Sequence, residues 1–150
     1  MRGEATIEIT ARPERIYALV SDLPRMGEFS PECRQVEWLD GVAGPVAGAR
    51  FVGHNRSGPI RWSRRGTVRT AEPGVEFAFS TEEGGREGTL WRYRLAPSAH
   101  GTVVTESFEV HWIPWWMRVV DVLTRRHHQL DRAMGRTLQR LKAVAERAAA

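Results

Sequence analysis

The chain is 150 residues long, 41% hydrophobic and 27% charged, which is ordinary for a folded globular protein and excludes wholesale disorder. That length buries one real core but not two, so one domain over residues 1–150 and one site are expected. Of 22 basic residues all but Lys142 are arginine, which lifts the pI to about 10.2 on a formal net charge of +4. Acidic residues are scattered through the same segments, which argues against nucleic acid as a partner.

The N-terminus runs straight into an alternating pattern, with no signal-peptide signature and no apolar run long enough to cross a bilayer, so a cytoplasmic location is expected. Residues 4–10 place Ala5, Ile7 and Ile9 on one face, the mark of a half-buried strand. Pro13 then suits a first helical turn and Glu14 its positive end, which predicts a helix over 13–21 with Ile16, Leu19 and Val20 inward. A second short helix is expected over 24–29, stopped by Ser30-Pro31. Cys33 is the single cysteine, which excludes an internal disulfide and a cysteine zinc cluster, and it reads as a structural thiol.

Six further strands are predicted near 33–40, 48–57, 60–71, 74–82, 87–96 and 102–111, separated by short turns rich in Gly and Pro. Such short connections favour an antiparallel meander. From Pro114 to about Arg147 the period changes, and Trp116, Val120, Leu123, His127, Leu130, Met134, Leu138 and Leu141 recur at helical steps. The order is that of an α+β domain. A curved antiparallel sheet of about seven strands wraps one long C-terminal helix, and two short helices close one end. Such a two-layer arrangement leaves a cavity between sheet and helix.

Alternation assigns the inward faces to Phe51, Gly53 and Asn55; Ile60, Trp62 and Val68; Val75, Phe77 and Phe79; Trp91, Tyr93 and Leu95; and Val104, Phe108 and Val110. The same parity places Glu106 between Val104 and Phe108 and Arg64 beside Trp62. A charge inside without a partner is costly, so these two either pair with each other, reach water in a cavity, or lie outside. His127 on the helical stripe adds a titratable group facing the same space. The candidate ligand contacts are therefore Trp38, Phe51, Asn55, Trp62, Arg64, Phe77, Phe79, Trp91, Tyr93 and Phe108 from the strands, with Trp116, Val120 and Leu123 from the helix. Glu106 and His127 are the candidate catalytic groups.

His127 and His128 point about 100° apart on a regular helix and cannot share one ion, and no HExxH, glycine-rich phosphate loop or GxSxG occurs, so neither a metal nor a nucleotide is expected. Residues 111–118, HWIPWWMR, carry two readings. One packs Trp112 and Trp116 under the sheet and Trp115 against the short helices; the other makes residues 112–116 a cavity rim or a peripheral membrane anchor.

Four stretches together resemble a known family: ITARPERIYALVSDLPRMGEFSPECRQVEW, GARFVGHNRSGPIRW, the turn and strand EPGVEFAF, and LWRYRLAPSAHGTVVTESFE before the last helix. In order and spacing the chain resembles, over nearly its whole length, the bacterial polyketide cyclase/dehydrase-like members of the START and birch-pollen-allergen (SRPBCC) superfamily, whose architecture is the helix-grip fold. The resemblance implies a cavity for an apolar small molecule such as a polyketide, lipid, quinone or sterol, and makes SDLPRMGEFSP the helix pair at its mouth. It implies no single reaction, because members divide between enzymes and carriers. Two readings follow: a cyclase or dehydratase that needs no metal or organic cofactor, and a non-catalytic lipid or quinone carrier that meets membranes through residues 112–116. Neither fixes the oligomeric state.

Overall fold

The alternating N-terminus forms β1 (Arg2–Ile9), with Arg2, Glu4, Thr6 and Glu8 outward and Ile9 fully buried, in a computed structural model that describes residues 1–29, 33–42 and 44–147, apart from the side chains of Arg126 and His127. Pro13 opens α1 (Pro13–Ser21) where its missing N–H is no loss, and the Arg12 carbonyl receives the amides of Arg15 and Ile16. Ile16, Leu19 and Val20 are buried as expected. The second helix (Leu23–Glu28) takes the tighter 3-10 form and buries Leu23; a Cβ at its Gly27 would come within 2.8 Å of the Arg34 carbonyl, so the close approach of the next strand requires glycine there. The expected stop at Ser30-Pro31 lies outside the described residues.

The meander follows as β2 (Cys33–Trp38), β3 (Arg50–Ser57), β4 (Ile60–Glu72), β5 (Glu76–Glu83), β6 (Arg86–Ser98) and β7 (Gly101–Val110). All neighbours are antiparallel, in the order β1-β7-β6-β5-β4-β3-β2, so the first and second strands occupy opposite edges. Bulges interrupt the register at Cys33/Gln35, Val68/Thr70 and Thr81/Glu82, and such bulges bend and twist the strands that carry them. Gly66 on the concave face of β4 lets the Phe51 ring lie against the backbone, since a Cβ there would collide with that ring and with the Ser80 carbonyl. Two inward assignments do not hold. Ile60 is exposed at the tip of the β3–β4 hairpin, and Val75 is exposed in the turn before β5.

The C-terminal helical stretch is divided. α2 (Trp115–Thr124) ends at Arg125, whose φ of 53° is left-handed, and α3 (Arg126–Arg147) starts immediately. At the break the Arg125 amide bonds Asp121 O, the Thr124 hydroxyl donates to Val120 O (2.8 Å), and the Gln129 side-chain amide donates to Thr124 O (3.2 Å). α3 lies in the sheet and buries Met134, Leu138, Leu141 and Ala145, one face at steps of three and four. Its far end is latched to the start of the chain, for Glu146 accepts the Thr10 amide (2.8 Å) and Lys142, and the Arg15 guanidinium donates to Ala145 O (3.1 Å). α2 is different, because none of its residues is buried. The tail after Arg147 lies outside the described residues.

Candidate functional site

A cavity of about 230 Å³ lies between the concave face of the sheet and the helices. Its floor is the inward parity of five consecutive strands. Phe51, Gly53 and Asn55 come from β3, Trp62 and Arg64 from β4, Phe79, Thr81 and Glu83 from β5, Thr89, Trp91 and Tyr93 from β6, and Glu106 and Val110 from β7. Leu23 and Met26 of the 3-10 helix and Cys33 and Val36 of β2 close one side, and Met117, Leu130, Met134 and Thr137 of α2 and α3 form the roof. The short helix that sequence puzzlingly inserts before the meander is thus a wall of this cavity.

Glu106 is the centre of the chemistry. It is 2% exposed, and its cross-strand neighbour Tyr93 is 5% exposed. The two side chains are hydrogen-bonded, while Oε2 of Glu106 is buried without a partner. Burial pushes the Glu106 carboxyl up from 4.5 to about 8, offset in part by the Tyr93 bond, so the group is mainly protonated at neutral pH. The Tyr93 hydroxyl is raised well above its ordinary value, first by burial and then by the adjacent Glu106. Burial also lifts the Cys33 thiol to about 11, against a backbone hydrogen bond from Gln35, so it carries no thiolate at neutral pH.

Arg64 does not pair with Glu106. It meets Glu83 of β5, Nη1 to Oε1 at 2.5 Å, and Glu83 is the more buried partner. The lining therefore has two polar regions, the Arg64–Glu83 pair beside Asn55 and Thr81, and the Tyr93–Glu106 pair, with Phe79 and Trp91 between them along β5 and β6. Glu83 and Thr81 escaped the sequence reading because Glu83 abuts the Gly84-Gly85 turn; carrying the parity of Phe79 forward through 81 and 83 finds both.

Of the expected contacts, Phe51, Asn55, Trp62, Arg64, Phe79, Trp91, Tyr93 and Glu106 line one cavity, and six others do not. Phe77 is fully buried in the core, its ring edge-on to Tyr17 at 6.2 Å. Phe108 is buried behind Trp91, ring centroids 5.4 Å apart, and Trp38 stands edge-on to Phe51 at 6.3 Å without lining the space itself. Trp116, Val120 and Leu123 are exposed because α2, separated from α3 by the break at Arg125, turns Met117 and Asp121 to the cavity and leaves these three outside, Leu123 78% accessible. The same break overturns the packed reading of the tryptophans: Trp115 is 77% exposed and Trp116 also faces solvent, whereas Trp112 is covered by the Arg86 guanidinium 4.9 Å from its ring centre. The side chain of His127 lies outside the described residues. Among the described residues no cluster of three His, Cys, Asp or Glu is placed to hold a metal, and no helix is long and apolar enough to cross a membrane.

A family model described as polyketide cyclase / dehydrase and lipid transport matches residues 1–146. The Polyketide_cyc-like protein Cgl2372 of Corynebacterium glutamicum is 33% identical, with a TM-score of 0.56 over 98% of this chain and 90% of its own. The di-domain ARO/CYC StfQ of the steffimycin biosynthetic pathway superposes with a TM-score of 0.80 at 14% identity, over 99% of this chain and 51% of StfQ. TTHA0849 of Thermus thermophilus matches over 100% of both chains at 18% identity and a TM-score of 0.76. No curated protein matches the sequence significantly.

Proposed function

The chain belongs to the polyketide cyclase / dehydrase and lipid transport family, and from that premise we propose that it encloses a hydrophobic small molecule between its sheet and α3. One observation carries the reading: five strands and the 3-10 helix converge on a space whose walls are mainly aromatic and aliphatic but whose floor holds a buried acid with an unpartnered oxygen. A packed core does not retain such an atom without reason, since an unsatisfied buried polar group costs about 1–3 kcal/mol. In the enzymatic form of this reading the reaction is cyclisation or dehydration of a poly-carbonyl chain. Glu106 or His127 would move protons next to a carbonyl, Asn55 and Arg64 would stabilise the developing enolate oxygen, and the aromatic walls would fold the chain and exclude water. StfQ, an ARO/CYC of a biosynthetic pathway, supports that chemistry by likeness of fold.

The test is native mass spectrometry of protein purified from its own host, followed by denaturation and identification of what is released. A stoichiometric polycyclic or acyl compound is the expected result. Protein that remains empty and also fails to take up any apolar ring compound when soaked with one would sink the reading.

A second reading, a lipid or quinone carrier that docks on membranes, is favoured by α2. This helix turns Trp115, Trp116, Val119, Val122 and Leu123 to solvent, an apolar surface of the kind that marks an interaction site. Residues 111–142 also carry seven arginine or lysine residues against two aspartates, more positive charge than the chain's net of +4, which suits an anionic bilayer. In liposome flotation the protein should rise with vesicles containing anionic lipid, and Trp115→Ala should rise several-fold less. If wild-type protein stays at the bottom with every vesicle composition, the carrier reading is lost.

A further inference from the structure

The buried end of the cavity specifies more than an apolar occupant. On one face of a strand successive side chains stand about 6.6 Å apart, so Glu106 and Tyr93 lie several steps from the Arg64–Glu83 pair, with the rings of Phe79 and Trp91 between. Arg64 is engaged by Glu83, and the remaining titratable groups lining the cavity are Tyr93 from β6, Cys33 from β2, Asp121 from α2 and the amino end at Met1; α3 contributes none among its described lining residues. Of these only the amino end is a cation, and Met1 is bonded to Val110, four residues along β7 from Glu106, so a carboxyl so deeply buried holds its proton rather than its charge. The Tyr93 hydroxyl occupies one oxygen, and the other, Oε2, is buried without a partner in a residue that lines the cavity wall.

The geometry points to a hydrogen-bonding subsite at this end of the cavity, in which protonated Glu106 donates from Oε2 to the carbonyl oxygen of a neutral ring compound. The assignment rests on the cavity being a ligand site, as proposed above. A ligand carboxylate is disfavoured because no free cation lies at this end, and an ammonium because its three donors would find a single acceptor. The volume, about 230 Å³, falls below the roughly 300–1,000 Å³ of sites for drug-sized molecules, which suits a compound of about two fused rings. In this role Glu106 acts on a carbonyl as an acid, which polarises the group.

The probes are 1-tetralone and tetralin, the same bicyclic skeleton with and without a carbonyl, titrated calorimetrically into the full chain. At about pH 6.5 the ketone should bind about tenfold more tightly than the hydrocarbon, the worth of one satisfied buried hydrogen bond. That advantage should fall as pH rises through about 8, where Glu106 ionises. Glu106→Gln, whose amide donates at every pH, should keep the preference without the pH dependence. Glu106→Leu should bind both probes alike, with tetralin binding serving as proof that its cavity is intact. Equal binding of the two probes by wild type, a preference that survives in Glu106→Leu, a preference indifferent to pH, or tighter binding of 1-aminotetralin than of the ketone would each overturn the assignment. Tetralin binding without a ketone preference defeats this inference and leaves the cavity reading standing; binding of no probe defeats both.

Discussion

Glu106 sets the protein's response to pH as well as the character of its cavity. Its carboxyl titrates at about 8 in the fold against an ordinary 4.5, so between those values the folded chain holds a proton that the unfolded chain has released. The stability this contributes is whole below about pH 4.5 and is lost as pH rises toward 8, at about 1.4 kcal/mol per unit. Glu106→Gln removes the titration while keeping shape and the acceptor for Tyr93. It should match wild type near pH 4.5 and exceed it by roughly 3–4 kcal/mol near pH 7.5. Urea denaturation at several pH values reads this directly, and parallel profiles for the two proteins would show that Glu106 is not desolvated in the fold. The residue was legible from alternation alone, because Val104 and Phe108 flank it on one face. The pairing of Arg64 was not, since it depends on the β4–β5 register, which the bulge at Val68/Thr70 shifts.

Among the elements α2 is the weakest held. It has ten residues, below the roughly 12–15 at which an isolated helix becomes even marginal in water, and it buries none of them. Its amides should exchange with solvent far faster than those of α3 between Met134 and Leu141 or of the central strands, and hydrogen exchange read by mass spectrometry resolves the two helices as separate peptides. Equal protection of α2 and α3 would mean that α2 is covered in solution. The periodicity of residues 116–141 runs unbroken across the junction, and Arg125 is not the glycine that usually announces a left-handed cap. That is why one helix was expected, and why Trp116, Val120 and Leu123 were assigned to a cavity they do not reach. α1 shows the opposite case, for Pro13 and Asp22 mark its limits in sequence and structure alike.

At the scale of the molecule, seven strands, their meander and the helix that fills their curve follow from alternation, short glycine turns and one change of period. Those are local signals, and the architecture they produce is largely a chain of neighbours. The exception is β1. It forms its ladder with Thr102 to Glu109, at the far end of the meander, and α3 then latches the same region through Glu146 on Thr10. During synthesis, at about 5–20 residues per second, β1 leaves the ribosome on the order of ten seconds before the strand that will pair with it. Through that interval it is an unpartnered strand with Ile7 and Ile9 along one side, the kind of segment that joins the wrong neighbour. Arg2, Glu4 and Glu8 alternate with those apolar residues on its other side. In the finished protein their side chains face water; in the nascent chain charges so placed work against mispairing of β1 before its partner is made.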